Sequence, residues 1–344
     1  MAVERGRRGG EKIRESAAVG THVTQGLAVL WNSPLNSKLN LTMESADAST
    51  FTPDLRTRLA LWFYRLAPGL RLPASWWVPE MKAARISVLE PNKSPSVEVV
   101  SHCWNYAHLL AYQLSSVVQH PSSGLKLTMT VCYCKEDRAP VKLLECFSKQ
   151  AVPNVTWNWL PLERVELMRR AIGRNRAAIA SKADWVWFTD CDLLFYEGCL
   201  SGLAAALAGR TEPLVYPQEE RCTSMLASDD AMLTAATDGP RFVEIVPDRF
   251  DVQRPKKATG PLQIVRGDLA RKFGYCDAIK CYQTPTDRWR KTYEDRAFRW
   301  LLGSQGTPIN VPGVYRIKHI EKGRYYGPKI MSRVRSEIRQ AKAR

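Results

Sequence analysis

The chain has no C-x-x-C pair, and its nine cysteines are an odd number. A structural zinc site and a disulfide framework are both disfavoured by this, so a reducing compartment is the simpler account. No run reaches the roughly 18 apolar residues that a membrane-spanning helix needs. The charged stretch Met1 to Arg14 is followed by no apolar segment with a small-residue cleavage site, and the chain reads as cytoplasmic. Met43 is a second candidate start. Glycine is missing from Ser101-His102-Cys103-Trp104-Asn105, directly after the first predicted strand. A nucleotidyltransferase would be expected to carry a glycine-rich phosphate loop there. No internal repeat is found, and only one histidine, His319, follows His120.

What is present is a large apolar share and an uneven positive charge. With 344 residues, 45% of them hydrophobic, the chain can bury one sizeable core with attachments. The net charge is +16, and the ten Lys/Arg against two Asp/Glu from Arg316 onward supply +8 of it. Such a balance favours anionic partners. Residues 1–43 are polar and weakly periodic and read as a disordered extension. Residues 44–95 contain Arg56, Arg58, Arg65 and Arg71 interleaved with Leu59, Leu61, Trp62, Phe63, Leu66, Trp76 and Trp77. Two readings stay open there: a helical hairpin packed on the main domain, or an element lying on an anionic membrane surface. Residues 96–320 form the main domain, and residues 321–344 a basic amphipathic tail.

Within the main domain strands alternate with helices. Strands are expected at 97–101, 125–134, 154–160, 214–216 and 262–266. Helices are expected after residue 105, around 141–149, and at 163–181, 198–209 and 292–303. The alternation predicts a mostly parallel α/β sheet. The aromatic run from Asp184 to Phe188 continues into Asp190-Cys191-Asp192, two acids one residue apart. If the chain stays extended, both acids point the same way. Acids at the carboxyl end of a central strand lie where open α/β sheets bind ligands. Hard oxygen ligands in that place suit Mg2+ or Mn2+ holding a diphosphate.

Several separated pieces resemble the GT-A fold glycosyltransferases, most closely the inverting family 2 type, over about residues 97–319. They are Asn105 and Gln119 on the first helix, Gly173-Arg174-Asn175 before the acids, Asp190 and Asp192, Phe273-Gly274-Tyr275-Cys276-Asp277 after the strand expected at 262–266, and Glu294-Asp295 opening a helix. The family commonly ends its second strand in an acid that contacts the base; here Glu136 and Asp137 compete for that place. The resemblance implies a Rossmann-like sheet and an Mn2+ or Mg2+ cofactor held by Asp192, Asp190 and His319. It further implies a nucleotide-sugar donor contacted by Arg174, Asn175, Asp190, Asp192, Glu136 and Asp137. Asp295 is expected as catalytic base with Glu294 beside it, and Trp289 with Glu294 as contacts to a glycan or lipid-linked acceptor. Arg316, Lys318, Lys322 and Arg324 are candidates for a phosphate-binding lid. The rival reading is a non-catalytic basic protein that binds nucleic acid or an anionic surface; no nucleic-acid motif accompanies the charge.

Overall fold

The computed structural model describes residues 54–69, 72–76, 78, 94–289, 292–319 and 338. The expectations for residues 1–43, for Arg71 and Trp77, for Lys322 and Arg324, and for the tail apart from Ile338 lie outside the described residues.

Helix α1 (Leu55–Leu66) comes first, its N-terminus capped by the Asp54 side chain accepting from Thr57 N at 2.9 Å. The α/β body follows, with β1 (Ser96–His102), α2 (Ala107–Gln119), β2 (Lys126–Tyr133), α3 (Arg138–Phe147), β3 (Val155–Pro161), α4 (Arg170–Ala180) and β4 (Trp185–Phe188). After it come β5 (Leu193–Phe195), α5 (Cys199–Leu207), β6 (Leu214–Pro217), β7 (Glu220–Thr223), β8 (Phe250–Gln253) and β9 (Gln263–Arg266). The chain then adds α6 (Gly267–Phe273), α7 (Glu294–Leu302), β10 (Thr307–Ile309) and β11 (Val314–Arg316).

The main sheet has seven strands in the order β10-β6-β9-β4-β1-β2-β3. Every pairing in it is parallel except those of β9, which runs antiparallel to both β4 and β6. The expected mostly parallel α/β sheet is therefore the observed one. Trp185, Val186, Trp187 and Phe188 of β4 are all buried, which fits a central strand covered on both faces. A second sheet, β5-β11-β7-β8, was not expected. Its strands are only three or four residues long, and β7 and β8 are largely polar, so neither alternation nor an apolar run marks them in sequence.

Two expectations are corrected here. The helix expected over 163–181 is broken into a short turn at Arg164–Leu167 and α4. At the break Arg169 has φ −108° and ψ 87°, and its Nε donates to Thr284 O at 3.2 Å. This long-range contact turns the chain so that Arg170 opens a new helix. The strand alternation expected to align Asp190 with Asp192 also does not hold. The main-sheet strand ends at Phe188, and the two acids sit on a turn closed by Leu193 N donating to Asp190 O at 3.1 Å.

Helix α4 lies very close to the sheet. A Cβ on Gly173 would come within 2.5 Å of His102 Nε2, 2.8 Å of Cys132 Sγ and 3.0 Å of Leu162 Cδ1. Gly173→Ala is expected to destabilise the fold by about 1–3 kcal/mol through overpacking, although alanine is favoured over glycine in a helix by about 1 kcal/mol. A urea midpoint at or above that of the wild type would contradict this.

Candidate active site

Three elements deliver the charged side chains to one place at the carboxyl ends of the central strands. The turn between β4 and β5 carries Asp190 and Asp192. It is pinned from α2 by Gln113, whose Nε2 donates to Asp190 O at 3.1 Å and to Leu193 O at 2.6 Å. The glutamine that meets the acid turn is thus Gln113; Gln119, singled out in the sequence, bonds Glu244 at 3.2 Å instead.

Helix α4 presents Arg170 and Arg174, four residues apart and so on one face. Arg170 Nη1 donates to Asp190 Oδ1 at 2.5 Å, and Arg174 Nη2 reaches the same oxygen at 3.3 Å. Burial disfavours the Arg170 charge, but the carboxylates of Asp190 and Glu294 outweigh it and hold its pKa above the ordinary value. Arg174 is almost fully buried and also donates to Thr189 O at 3.1 Å and to the Tyr275 hydroxyl at 3.0 Å.

The third element is β11 and the chain beyond it. Ile317 N donates to Asp192 O at 2.9 Å, which brings His319 into the pocket that Asp190, Asp192, His102, Arg170 and Trp289 also line. The His319 ring packs edge-on to Tyr106, with centroids 5.3 Å apart. Trp289 lies against the Arg170 guanidinium at 4.4 Å.

The remaining expected residues divide by position. Glu294, at the start of α7, is buried with Oε1 3.7 Å from Arg170 Nε, and so shares that arginine with Asp190. Asp295 is not part of the pocket wall; its Oδ2 is 3.4 Å from Arg299 Nη1 and a third of its side chain is exposed. Asn175 is turned away: its Oδ1 accepts from Tyr275 N and its Nδ2 donates to Asp277 Oδ1, both at 2.8 Å. It thereby braces the turn at Gly274, where φ is +59°. Glu136 is exposed beside Arg164 at 3.5 Å. Asp137 accepts from Asn105 N at 2.5 Å, and burial raises its pKa against that bond. Of the two competing acids, Asp137 is the one held against the loop after β1. Arg316 is committed to the buried Glu220, whose Oε1 accepts from it at 2.6 Å, and Lys318 donates to Gln253 at 2.8 Å.

Sequence reasoning missed Arg170, Gln113 and His102. The spacing of Arg170 from Arg174 was a usable signal; the other two give none, because their importance depends on which strand ends lie side by side. His102 is buried at the end of β1, and neither ring nitrogen has a hydrogen-bond partner. Burial first, then Arg174 and Arg170, hold its pKa well below 6.5. Above pH 6.5 the ring is neutral in both folded and unfolded chains. As pH falls below that value, only the unfolded chain takes the proton, so stability is lost by about 1.4 kcal/mol per pH unit. Urea unfolding at pH 7 and pH 5 should show a loss of stability in the wild type, to which half-buried His108 also adds, and His102→Gln should reduce the slope by one proton's worth. Equal slopes in the two proteins would refute the assignment.

No family model and no curated protein sequence matches the chain. Among solved structures it is similar to S. aureus TarS 1-349, at 14% identity and a TM-score of 0.36, over 70% of this chain and 63% of that one. The same TarS fragment in complex with UDP-GlcNAc is similar at 13% identity and a TM-score of 0.41, over 69% and 61% of the two chains. A mannosyltransferase from Pyrobaculum calidifontis, in complex with GDP-Man and Mn2+, is similar at 16% identity and a TM-score of 0.40, over 83% and 75%. The chain spans less than two thirds of the TarS fragment. At these values the likeness assigns no activity, and the functional reading rests on the pocket itself.

Proposed function

We propose that the chain is a metal-dependent glycosyltransferase that moves a sugar from a nucleoside-diphosphate donor, a UDP-sugar in the first instance, to an acceptor hydroxyl with inversion. The observation that carries this reading is the convergence of Asp190 and Asp192 with Arg170, Arg174 and His319 at the carboxyl ends of the central strands. Carboxylates beside arginines at that place suit a diphosphate together with its divalent cation.

The residues fit Mn2+ or Mg2+. Among the described residues no three His, Cys, Asp or Glu side chains gather around one point, and such ions are often bound by one or two carboxylates with substrate phosphates completing the shell. Asp192 would be the principal ligand and His319 a further one. Asp190 is the less direct of the two acids, because Arg170 and Arg174 already occupy its Oδ1. When bound, the cation would stabilise negative charge on the departing diphosphate. Arg170 adds positive charge at the same place, and Trp289, which lies against Arg170, is assigned to contact the acceptor sugar. As the acceptor oxygen bonds to the anomeric carbon and the bond to the diphosphate breaks, the hydroxyl proton passes to a carboxylate. Asp295, a third of whose side chain is exposed, is assigned this role from beside the pocket rather than from its wall, and Glu294 is assigned to orient the acceptor. Glu136 and Asp137 are assigned to the nucleoside end, with Asp137 the inward-facing one.

Thermal-shift titration with UDP, GDP and CMP, each with and without Mn2+, tests the reading. Stabilisation by one nucleotide that requires the metal is the expected result, since a ligand that binds only the folded state raises its apparent stability. No shift with any nucleotide would favour the basic, non-catalytic binding protein instead.

A further inference from the structure

Helix α1 has two apolar faces, and the described fold covers one of them. Ala60, Tyr64 and Ala67 are buried, and the Tyr64 ring lies 6.1 Å from Trp300 of α7 and 6.2 Å from Tyr282. On the other side Leu55, Leu59, Trp62 and Leu66 are 69, 59, 62 and 37% exposed. Their spacing places them on a single narrow stripe, opposite the buried face. Arg56 falls on one flank of this stripe and Arg58 and Arg65 on the other, all three exposed, and the helix contains no acid.

An apolar stripe with arginines on both flanks suits a helix lying in the plane of a lipid interface. The leucines and tryptophan enter the acyl boundary, and the guanidinium groups of Arg56 and Arg58 reach up to the phosphates. A second copy of the chain fits poorly, because a two-fold contact would bring the same arginines face to face, and the chain already carries a net charge of +16.

We propose that α1 seats the protein on an anionic bilayer, with the stripe at Leu55, Leu59, Trp62 and Leu66 buried in the interface. Helix α1 packs on α7, whose first residue is Glu294, and Arg65 lies over the Tyr293 ring at 5.0 Å. The seat therefore adjoins the helix assigned to acceptor binding, so the acceptor it favours is lipid-linked. That last point rests on the function proposed above; the seat itself does not.

The test is co-sedimentation of the full chain with vesicles of phosphatidylcholine alone or mixed equally with phosphatidylglycerol. The wild type should pellet with the anionic vesicles. The Leu59→Glu/Trp62→Glu variant should lose at least about tenfold in partitioning, from two large apolar groups removed from the interface. Both positions are exposed, so an unchanged thermal midpoint will show that the variant is folded. An Arg56→Ser/Arg58→Ser variant should lose its preference for the anionic vesicles. Undiminished binding of the Leu59/Trp62 variant would overturn the proposal and place the attachment elsewhere, as would failure of the wild type to pellet. A wild-type dimer that the variant dissociates would overturn it too, making the stripe an interface between copies. Nucleotide titration without vesicles reads the enzymatic proposal independently.

Discussion

Asp192→Ala is expected to remove the metal-dependent part of nucleotide stabilisation and to lower sugar transfer by about a thousandfold. A catalytic cation contributes several kcal/mol to stabilising charge on the leaving group, and each 1.4 kcal/mol is about tenfold in rate. The fold should survive the change. The backbone bond from Ile317 N to Asp192 O at 2.9 Å remains in the alanine variant. The lost carboxylate is also a like charge that adds to burial in raising the pKa of Glu220. Asp190→Ala should behave differently, because Asp190 is the acid on which Arg170 and Arg174 converge. Its loss leaves two close guanidinium groups without their shared carboxylate, so stability as well as activity should fall. Transfer rates, thermal shifts and urea midpoints measured on both variants separate the two roles. A fully active Asp192→Ala enzyme would remove the basis for the proposed metal site.

Arg174→Met is expected to be the most damaging single change to the fold near the site, costing about 3–5 kcal/mol. Thr189 O and the Tyr275 hydroxyl lose a charged donor in the core, at about 1–3 kcal/mol each, while Asp190 keeps Arg170. Arg174 is 1% exposed and holds Thr189 O, Asp190 Oδ1 and the Tyr275 hydroxyl at 3.1, 3.3 and 3.0 Å. The Tyr275 hydroxyl continues to Gln263 Oε1 at 3.1 Å, and Gln263 Nε2 donates to Asp295 O at 3.0 Å. This buried chain of hydrogen bonds ties the acid turn to the start of α7, so a fault at Arg174 should reach Asp295 as well. Arg170, a fifth of whose side chain is exposed, should matter less for folding and more for nucleotide binding. Equilibrium urea unfolding of Arg174→Met and Arg170→Met compares them. Equal midpoints would mean that burial of Arg174 is not what stabilises the turn.

The long elements were legible in the sequence because each shows enough periods to register. The alternation in β3, the repeats along α2 and the fully apolar β4 place most of the main sheet to within a residue or two. In the second sheet β7 and β8 escaped because they are both short and largely polar, whereas the equally short β4 and β6 are marked by apolar runs. The break at Arg169 escaped for another reason: residues 163–181 are locally compatible with one helix, and the contact that interrupts it comes from Thr284, far along the chain.

The acids show the same division. The sequence by itself determined that Asp190 and Asp192 stand at the end of a buried hydrophobic strand, that Arg174 and Glu294 belong to helices on either side of it, and that the chain is strongly basic. The tertiary structure alone decided that the acids sit on a turn between two sheets, that Gln113 pins that turn, and that Glu294 rather than Asp295 shares Arg170 with Asp190. Local pattern records which face of an element is apolar, since burial of that face stabilises it. It does not record which polar groups meet, because a hydrogen bond or ion pair depends on the relative placement of elements far apart in the chain.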